Sequence, residues 1–380
     1  MTTAGFILDN ALRNKQRLAL TVGSVTVSLF LLTVLQVMLR GFTDPAATEQ
    51  SAARLVVRHK VSLANMLFSK YRARIEALPG VVACTKLIWF GGIYQDEQKF
   101  FPQFGCDADA LFNVLAEASI APEQRQRFIQ ERTACVVGVK TLERFGWKLG
   151  DRVHLMGAMW PCDLELTIRG VFSGSLDDTM LFFHHTYFDE MLGDRGFTGL
   201  FWVRAENAAA VTGLIERIDA AFENSDAETQ TETERAFQVG FVSMLGNVKV
   251  LIGSISTAIV FTLVLATAGT MSRAIRERRR EVAVLKGLGF SGWRIFGFML
   301  AESCGLALAG GLLGCLAAWL ALSLVGVEEL SHGLFVSFEV TPRVLGRGLL
   351  MSLALGVASC LLPAWRTVRR GVVEGLRMAE

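Results

Sequence analysis

Four stretches of this sequence are so apolar, and so long, that they dictate what the chain can fold into. Leu18–Leu39 is 22 residues without a charged side chain, and Val250–Ser272 is 23. Ile295–Val327 runs for 33 residues with Glu302 as its one charge, and Gly348–Trp365 runs for 18 with none. A helix rises 1.5 Å per residue, so about 20 apolar residues cross the roughly 30 Å hydrocarbon core of a bilayer. Core helices of soluble proteins usually keep a polar stripe, and these four do not. Composition agrees: 52% of residues are hydrophobic before glycine is counted and only 19% are charged. Arg13, Lys15 and Arg17 precede the first stretch, as in a secretory signal. Its apolar run exceeds the roughly 7–15 residues of a signal core, and "RGFTDPAATEQ" behind it offers no small-x-small site. It reads as an uncleaved anchor.

Charge orients the four spans. Residues 1–17, 271–296 and 366–380 together carry 14 Lys and Arg against 5 Asp and Glu. Segment 40–247 carries 21 against 27, and the short loop near 326–342 adds Glu328, Glu329 and Glu339. Basic residues in short loops stay cytoplasmic, so both termini and the Arg273–Arg280 run are expected in the cytosol. That run is held between two spans, which denies it the free surface of a nucleic-acid arm; no nucleic-acid partner is expected. The chain reads as an α-helical membrane protein with four transmembrane helices plus an α/β extracytoplasmic domain inserted between the first and second. The expected order is a cytoplasmic segment 1–17, span 18–39, extracytoplasmic domain with stalk 40–249, and span 250–272. A cytoplasmic loop 273–296, span 297–325, short outer loop 326–343, span 344–365 and cytoplasmic tail 366–380 complete it. The expected location is the inner (plasma) membrane, with the lipid bilayer as solvent.

The cytoplasmic loop holds more than topology. After the arginines, "EVAVLKGLGFSGWRIF" spaces Val282, Leu285, Leu288, Trp293 and Ile295 along apolar faces. Gly287, Gly289 and Gly292 in "GLGFSG" break the helix, and Ser291 is placed to cap the next one. This predicts a helix continuing from the second span, a tight turn, and a short amphipathic helix entering the third. Such a helix suits either a membrane interface or a partner's groove.

"ERRREVAVLKGLGFSGWRIFGFMLAESCGLALAGGLLG" closely resembles the cytoplasmic-loop signature of FtsX-like ABC-transporter permeases, the superfamily of macrolide-exporter (MacB-type), lipoprotein-releasing and cell-division permeases. The matching positions are Glu277, Arg278, Arg279, Glu281, Leu285, Lys286, Leu288, Gly289, Ile295, Glu302, Gly310, Gly311 and Gly314. "LPAWRTVRRGVVEGLR" is similar to the family's tail, with Val372 and Val373 where a proline is often found. "CVVGVKTLERFGWKLGDRVHL" is similar to its ectodomain segment, with Leu142 replacing a small residue. The resemblance implies a dimeric permease, homodimer or heterodimer, paired with two copies of a cytoplasmic ABC ATPase. It implies a loop helix docked on that ATPase, and motion sent through the stalk to the outer domain. A periplasmic adaptor or lipoprotein partner is a further implication. The residues assigned to ATPase coupling are Glu281, Lys286, Leu288, Gly289, Phe290, Ser291, Trp293 and Arg294.

The residues themselves support parts of that picture. No Gly-Lys-Ser/Thr occurs in the chain, so the phosphate cradle of a P-loop is missing. The chain is read as a non-enzyme that binds no cofactor, with ATP and Mg held by the partner ATPase. From Glu228 to Ser272 no proline interrupts, and Phe237, Phe241, Met244, Leu245 and Val248 recur near helical spacing. One rod over those 45 residues, about 67 Å long, is set against a break at Gly240 or Gly246. Gly310, Gly311 and Gly314 are read as helix packing. Glu302, ionisable inside an apolar run, is read either as functional or as a carboxylate hydrated near the interface.

The outer segment reads as α/β. Strands are predicted at "RLVVRHKV", "VVACTKLIWF", "ERTACVVGV", "DRVHLM", "LELTIRGVF", "MLFFHH" and "GLFWVRA", with helices at "LANMLFSKYRARIEAL" and "NAAAVTGLIERIDAAF". A βαβ pattern near each end and a β-rich insert predict two subdomains. His184 and His185 near Asp177, Asp178 and Asp189 form a poor chelating set, because adjacent strand residues face opposite ways; no metal is expected. Cys84, Cys106, Cys135 and Cys162 have three ways to pair, or stay free. The aromatics of "WFGGIYQDEQKFFPQFG" serve either an apolar cargo or the core. Within the family, drug or peptide export, lipid or lipoprotein extraction and control of a cell-wall hydrolase stay open. A non-ABC membrane sensor would carry an output domain after Trp365, where 15 residues stand.

Overall fold

The four apolar stretches form helices. A computed structural model describes residues 15–43, 49–97, 99–175, 178–244, 248–277, 279–324 and 342–369. It divides into a helical unit, residues 1–40, 247–326 and 338–380, and a sheet unit, residues 41–246 and 327–337. Residues 1–14, 44–48, 98, 176–177, 245–247, 278, 325–341 and 370–380 lie outside the described residues.

In the helical unit, Lys15–Thr43, Val248–Glu277, Gly292–Leu324 and Pro342–Arg369 are the long helices. Their span-length apolar portions are Leu18–Arg40, Lys249–Thr270, Gly292–Leu324 and Val344–Arg366. Only 17% to 39% of the residues in each apolar window are buried. A helix apolar on all sides belongs in a large core or in lipid, and the exposure of Leu20, Leu251, Phe261, Leu312, Leu316 and Leu350 selects lipid. Hydroxyls in the second helix are satisfied within it: Ser254, Thr257, Thr262 and Thr267 each donate to the carbonyl four residues back, at 2.6–2.8 Å. That settles their polar groups where water is absent.

The glycines of the third helix mark close approaches. A Cβ on Gly314 would lie 2.6 Å from the Thr26 carbonyl oxygen, and one on Gly310 would lie 2.7 Å from Val25 Cβ. On Gly311 it would lie 2.5 Å from Ser352 Oγ of the fourth helix. The third helix therefore contacts the first through Gly310 and Gly314 and the fourth through Gly311. Gly314→Val is expected to destabilise the bundle by about 1–3 kcal/mol, the usual cost of overpacking. Thermal unfolding of the purified chain in detergent would show it, with Gly305→Val, which meets no neighbour within 4 Å, as the control.

The sheet unit contains strands β1 (Arg54–His59), β2 (Leu67–Phe68), β3 (Val81–Trp89), β4 (Gln103–Cys106), β5 (Ser119–Ile120) and β6 (Ala134–Gly138). Then come β7 (Arg152–Leu155), β8 (Leu164–Ser173), β9 (Leu181–His184), β10 (Phe197–Thr198), β11 (Leu200–Ala205) and β12 (Thr229–Thr233). The main sheet runs β12-β1-β11-β3-β4-β9-β6-β8-β5, with β7 paired to β8; β2 and β10 make a separate ribbon. Among the described residues, only β4–β9 and β6–β8 are parallel pairs. Alternation sends Leu55 and Val57 into one core and Val56 into another, as the period of 2 requires. The first of these cores lies under helices Tyr71–Glu76 and Val211–Ala221. β6 repeats the pattern, with Val136 in the central core and Cys135 and Val137 in a third.

Three expectations are corrected. The two predicted subdomains are joined in one ten-stranded sheet, because β4, a short segment with a weak sequence signal, pairs with both β3 and the predicted strand β9 and so bridges the two ends. The helix predicted over 63–78 is confined to Tyr71–Glu76. Ser62 opens a turn instead, its hydroxyl accepting from the Ala64 amide at 3.1 Å, and Leu67–Phe68 pair with β10. The 45-residue rod does not begin at Glu228, because Thr229–Thr233 is edge strand β12. Asp219 accepts from the Thr229 and Thr231 hydroxyls and the Thr231 amide, and threonine's branching favours a strand. Helix is described over Glu234–Met244 and over Val248–Glu277.

Candidate functional site

The segment between the second and third long helices is built as a capped hairpin. Helix Arg279–Gly287 ends in a left-handed residue, Gly289, at φ +90°. The Phe290 amide reaches back to the Leu285 carbonyl at 3.1 Å and the Gly289 amide to Lys286 at 3.0 Å. This pair of bonds is a Schellman closure, which glycine favours because it has no Cβ to clash. The chain turns at once. Ser291 occupies the N-cap position, its carbonyl accepting from Arg294 and Ile295 at 3.0 and 3.2 Å. The short amphipathic helix expected here is not a separate element: Gly292 begins one continuous 33-residue helix.

The apolar residues of the hairpin divide between two faces. Val282 and Ile295 are buried with Met299, Cys360 and Ala364, and Leu285 packs on them. Leu288 and Trp293 are each 71% exposed, Val284 is 56% exposed, and Phe290 is exposed beside them in sequence. The buried face fixes the hairpin to the helical unit, and the open face presents apolar side chains. Trp293 is braced from behind by Phe296 at 5.8 Å and Trp365 at 5.9 Å between ring centroids. Arg294 and Ser291 are exposed and Lys286 is half-buried. The hairpin thus brings Lys286, Leu288, Gly289, Phe290, Ser291, Trp293 and Arg294 together. Glu281 lies on its first helix, with its side chain outside the described residues. Sequence reasoning missed Val284 and Trp365; the i, i+4 spacing of Val284 and Leu288 was the available signal.

A second constellation lies in the sheet unit and was not anticipated. Arg54, at the start of β1, is 1% exposed. Its Nε donates to Glu234 Oε2 at 2.7 Å, its Nη2 donates to Glu117, and its guanidinium lies 5.4 Å from the Trp202 ring centre. Burial alone would lower the Arg54 pKa, but the two carboxylates raise it; burial raises that of Glu234 against the pull of Arg54. Glu234 opens helix Glu234–Met244, and Glu117 stands just beyond helix Leu111–Val114. One guanidinium therefore clamps the sheet's first strand, its last helix and a distant loop.

The weaker candidates have structural roles. His184 Nε2 lies 2.5 Å from the Phe128 carbonyl and His185 Nε2 lies 2.9 Å from that of Phe197. Burial lowers both imidazole pKa values. An unfolded histidine takes up a proton near pH 6.5, and the folded pair resists it. Stability is therefore expected to fall as pH drops below about 6.5. Unfolding midpoints between pH 7.5 and 5.5 would show that slope, and His184→Gln would flatten it. Cys84, Cys106, Cys135 and Cys162 are free thiols. The first three are buried, and burial raises their pKa values. In the "WFGGIYQDEQKFFPQFG" segment, Phe90 and Phe101 are fully buried core residues.

Residues 253–372 match the FtsX-like permease C-terminal family, which spans the second to fourth long helices and the hairpin between them. Those residues are thus an FtsX-like permease domain. An uncharacterised ABC transporter permease of Methanocaldococcus jannaschii is 23% identical over 329 residues, covering 82% of this chain and 80% of that protein. The extracellular domain of the noncanonic ABC-type transporter YknZ from Gram-positive bacteria aligns with 47% of this chain and 99% of its own, at 13% identity and TM-score 0.37. The periplasmic region of MacB from Actinobacillus actinomycetemcomitans aligns with 50% and 92%, at 10% identity and TM-score 0.36. The chain is a multi-pass membrane protein that carries an FtsX-like permease domain, and it is similar to ABC transporter permeases.

Proposed function

We propose that this chain is the permease subunit of an ABC transporter, that the 279–294 hairpin is its docking surface for a cytoplasmic ABC ATPase, and that force enters the permease there. One observation carries this reading: Val284, Leu288, Phe290 and Trp293 stand exposed on a hairpin whose other face is anchored by Val282 and Ile295. A rigid apolar knob rimmed by Lys286 and Arg294 suits an apolar groove with an acidic margin. The basic bias of 271–296 supports a cytosolic position for this knob and for both termini. The sheet unit then lies outside the inner membrane. Two ATPase copies and a second permease protomer complete the complex.

In this reading ATP and Mg are bound by the partner, and the permease transmits movement to its outer domain. The work done there is export or extraction of a drug, peptide, lipid or lipoprotein. Affinity purification of the full chain from its native cell tests the assembly. A P-loop ATPase is expected in about equal amount. Recovery of an active permease with no such protein would end the proposal.

A further inference from the structure

We propose that residues 228–241, which form β12 and the start of the helix behind it, are a releasable strap. The strap opens as one unit while the rest of the sheet stays folded, and cross-strand ion pairs set how often it does so. Its composition is the first sign. Among the described residues, the buried side chains of this segment are Thr229, Thr231 and Glu234, all polar. Phe237 lies partly buried against the central core and stacks on the exposed Phe241 at 6.3 Å between ring centroids. The neighbouring strands are held differently: Leu55, Val56 and Val57 of β1 and Phe201 and Val203 of β11 are fully buried. Apolar burial is the main force that fixes an element to a core, so the sheet's last strand depends on other contacts.

Charge supplies them. On one face of the β1–β12 pair, Arg54 bonds Glu234, Arg58 bonds Glu232 and Lys60 bonds Glu228, each at 2.7 Å. The three basic residues share that face by strand alternation, and they grade from the buried Arg54 to the exposed Lys60. Asp219 holds the opposite face through the Thr229 and Thr231 hydroxyls. Polar contacts of this kind give small net gains, because water replaces each partner when they part. Opening also strands no group in the sheet. Arg54 keeps Glu117 at 2.5 Å and the Val114 carbonyl at 3.4 Å, while Glu234, Glu232 and Glu228 pass into water. The strap carries its own helix cap, since Thr233 Oγ1 accepts from the Ala236 amide at 3.2 Å. Segments with few buried apolar contacts open below the free energy of global unfolding. In sequence the strap leads on to the second long helix, Val248–Glu277, so its release lets that helix move without unfolding a core. The device stands independently of ATPase docking at the hairpin.

The test is native-state hydrogen exchange of the full chain in lipid nanodiscs, read by mass spectrometry. Relative to their intrinsic rates, the β12 amides bonded to β1 and the helical amides up to position 241 are expected to exchange together. They should do so about a hundredfold faster than amides of β3 and β11. Arg58→Glu sets two carboxylates side by side and is expected to speed exchange of the strap by about tenfold, with β3 and β11 unchanged. Arg58→Glu with Glu232→Arg is expected to restore the original rate. Should Arg58→Glu not fold, Lys60→Glu at its exposed position is expected to speed the strap by about threefold. Exchange of 229–241 in step with β3 and β11 in the unaltered chain would overturn the proposal. So would a charge reversal that leaves the strap's rate unchanged, or a swapped pair that fails to restore it.

Discussion

Arg54→Met is expected to cost the protein about 3–5 kcal/mol, the usual penalty for removing one partner of a buried charge cluster. The substitution keeps the apolar stem that packs near Trp202 and deletes the charge holding Glu117 and Glu234. Both carboxylates then stay buried and uncompensated; among the described residues Glu117 Oε2 already has no hydrogen-bond partner. For a unit of about 200 residues, each kcal/mol moves the midpoint by roughly 2–4 °C, so a fall of about 6–20 °C is expected. Differential scanning calorimetry of the full chain would resolve it. Adding Glu117→Gln and Glu234→Gln to Arg54→Met should recover most of the loss, because neutral amides cost far less to bury than unpaired charges. Recovery by the triple variant separates a charge effect from a packing effect. Hydrogen exchange should accelerate in β1 and in Glu234–Met244 together.

The second large effect is expected at the hairpin. Leu288→Ala with Trp293→Ala should weaken ATPase binding by about 10²–10³-fold, since truncating a buried interface anchor typically costs about 2 kcal/mol each. Both side chains are largely exposed in the free permease, so its own unfolding should change little. The inner face predicts the opposite: Ile295→Ala removes a residue 2% exposed and should destabilise the hairpin's attachment by about 2–4 kcal/mol. Titration of purified ATPase against permease in nanodiscs, with ATP turnover read alongside, measures the first effect. A double variant with normal affinity and turnover would remove the exposed face from coupling.

How much of this was legible depends on how local the signal is. The four spans were read directly, because a run of 22 or 33 nearly uncharged residues leaves a chain few alternatives. The hairpin turn was equally plain, since Gly289 meets a local demand for positive φ. Which of its apolar residues face inward was not, because Val282 and Leu288 differ only in what the fourth helix places against them. The sheet was partly readable: strong alternating strands such as Leu164–Ser173 announced themselves. β4 and β12 did not, as Gln103–Cys106 is short and Thr229–Thr233 is polar. Arg54 was invisible for another reason. Its partners lie 63 and 180 residues away in sequence, and no local pattern encodes a contact at that distance.

In the proposed complex an ATPase grips the exposed hairpin face from the cytosol. A photo-crosslinking amino acid at position 293, in the full chain in its native membrane, tests this most directly. Irradiation is expected to give one dominant adduct, identified by mass spectrometry as a P-loop ATPase. The adduct should be lost with Leu288→Ala and unchanged with Val61→Ser on the sheet unit. Adducts only to lipid or to proteins outside the inner membrane, from a complex that still works, would contradict the account.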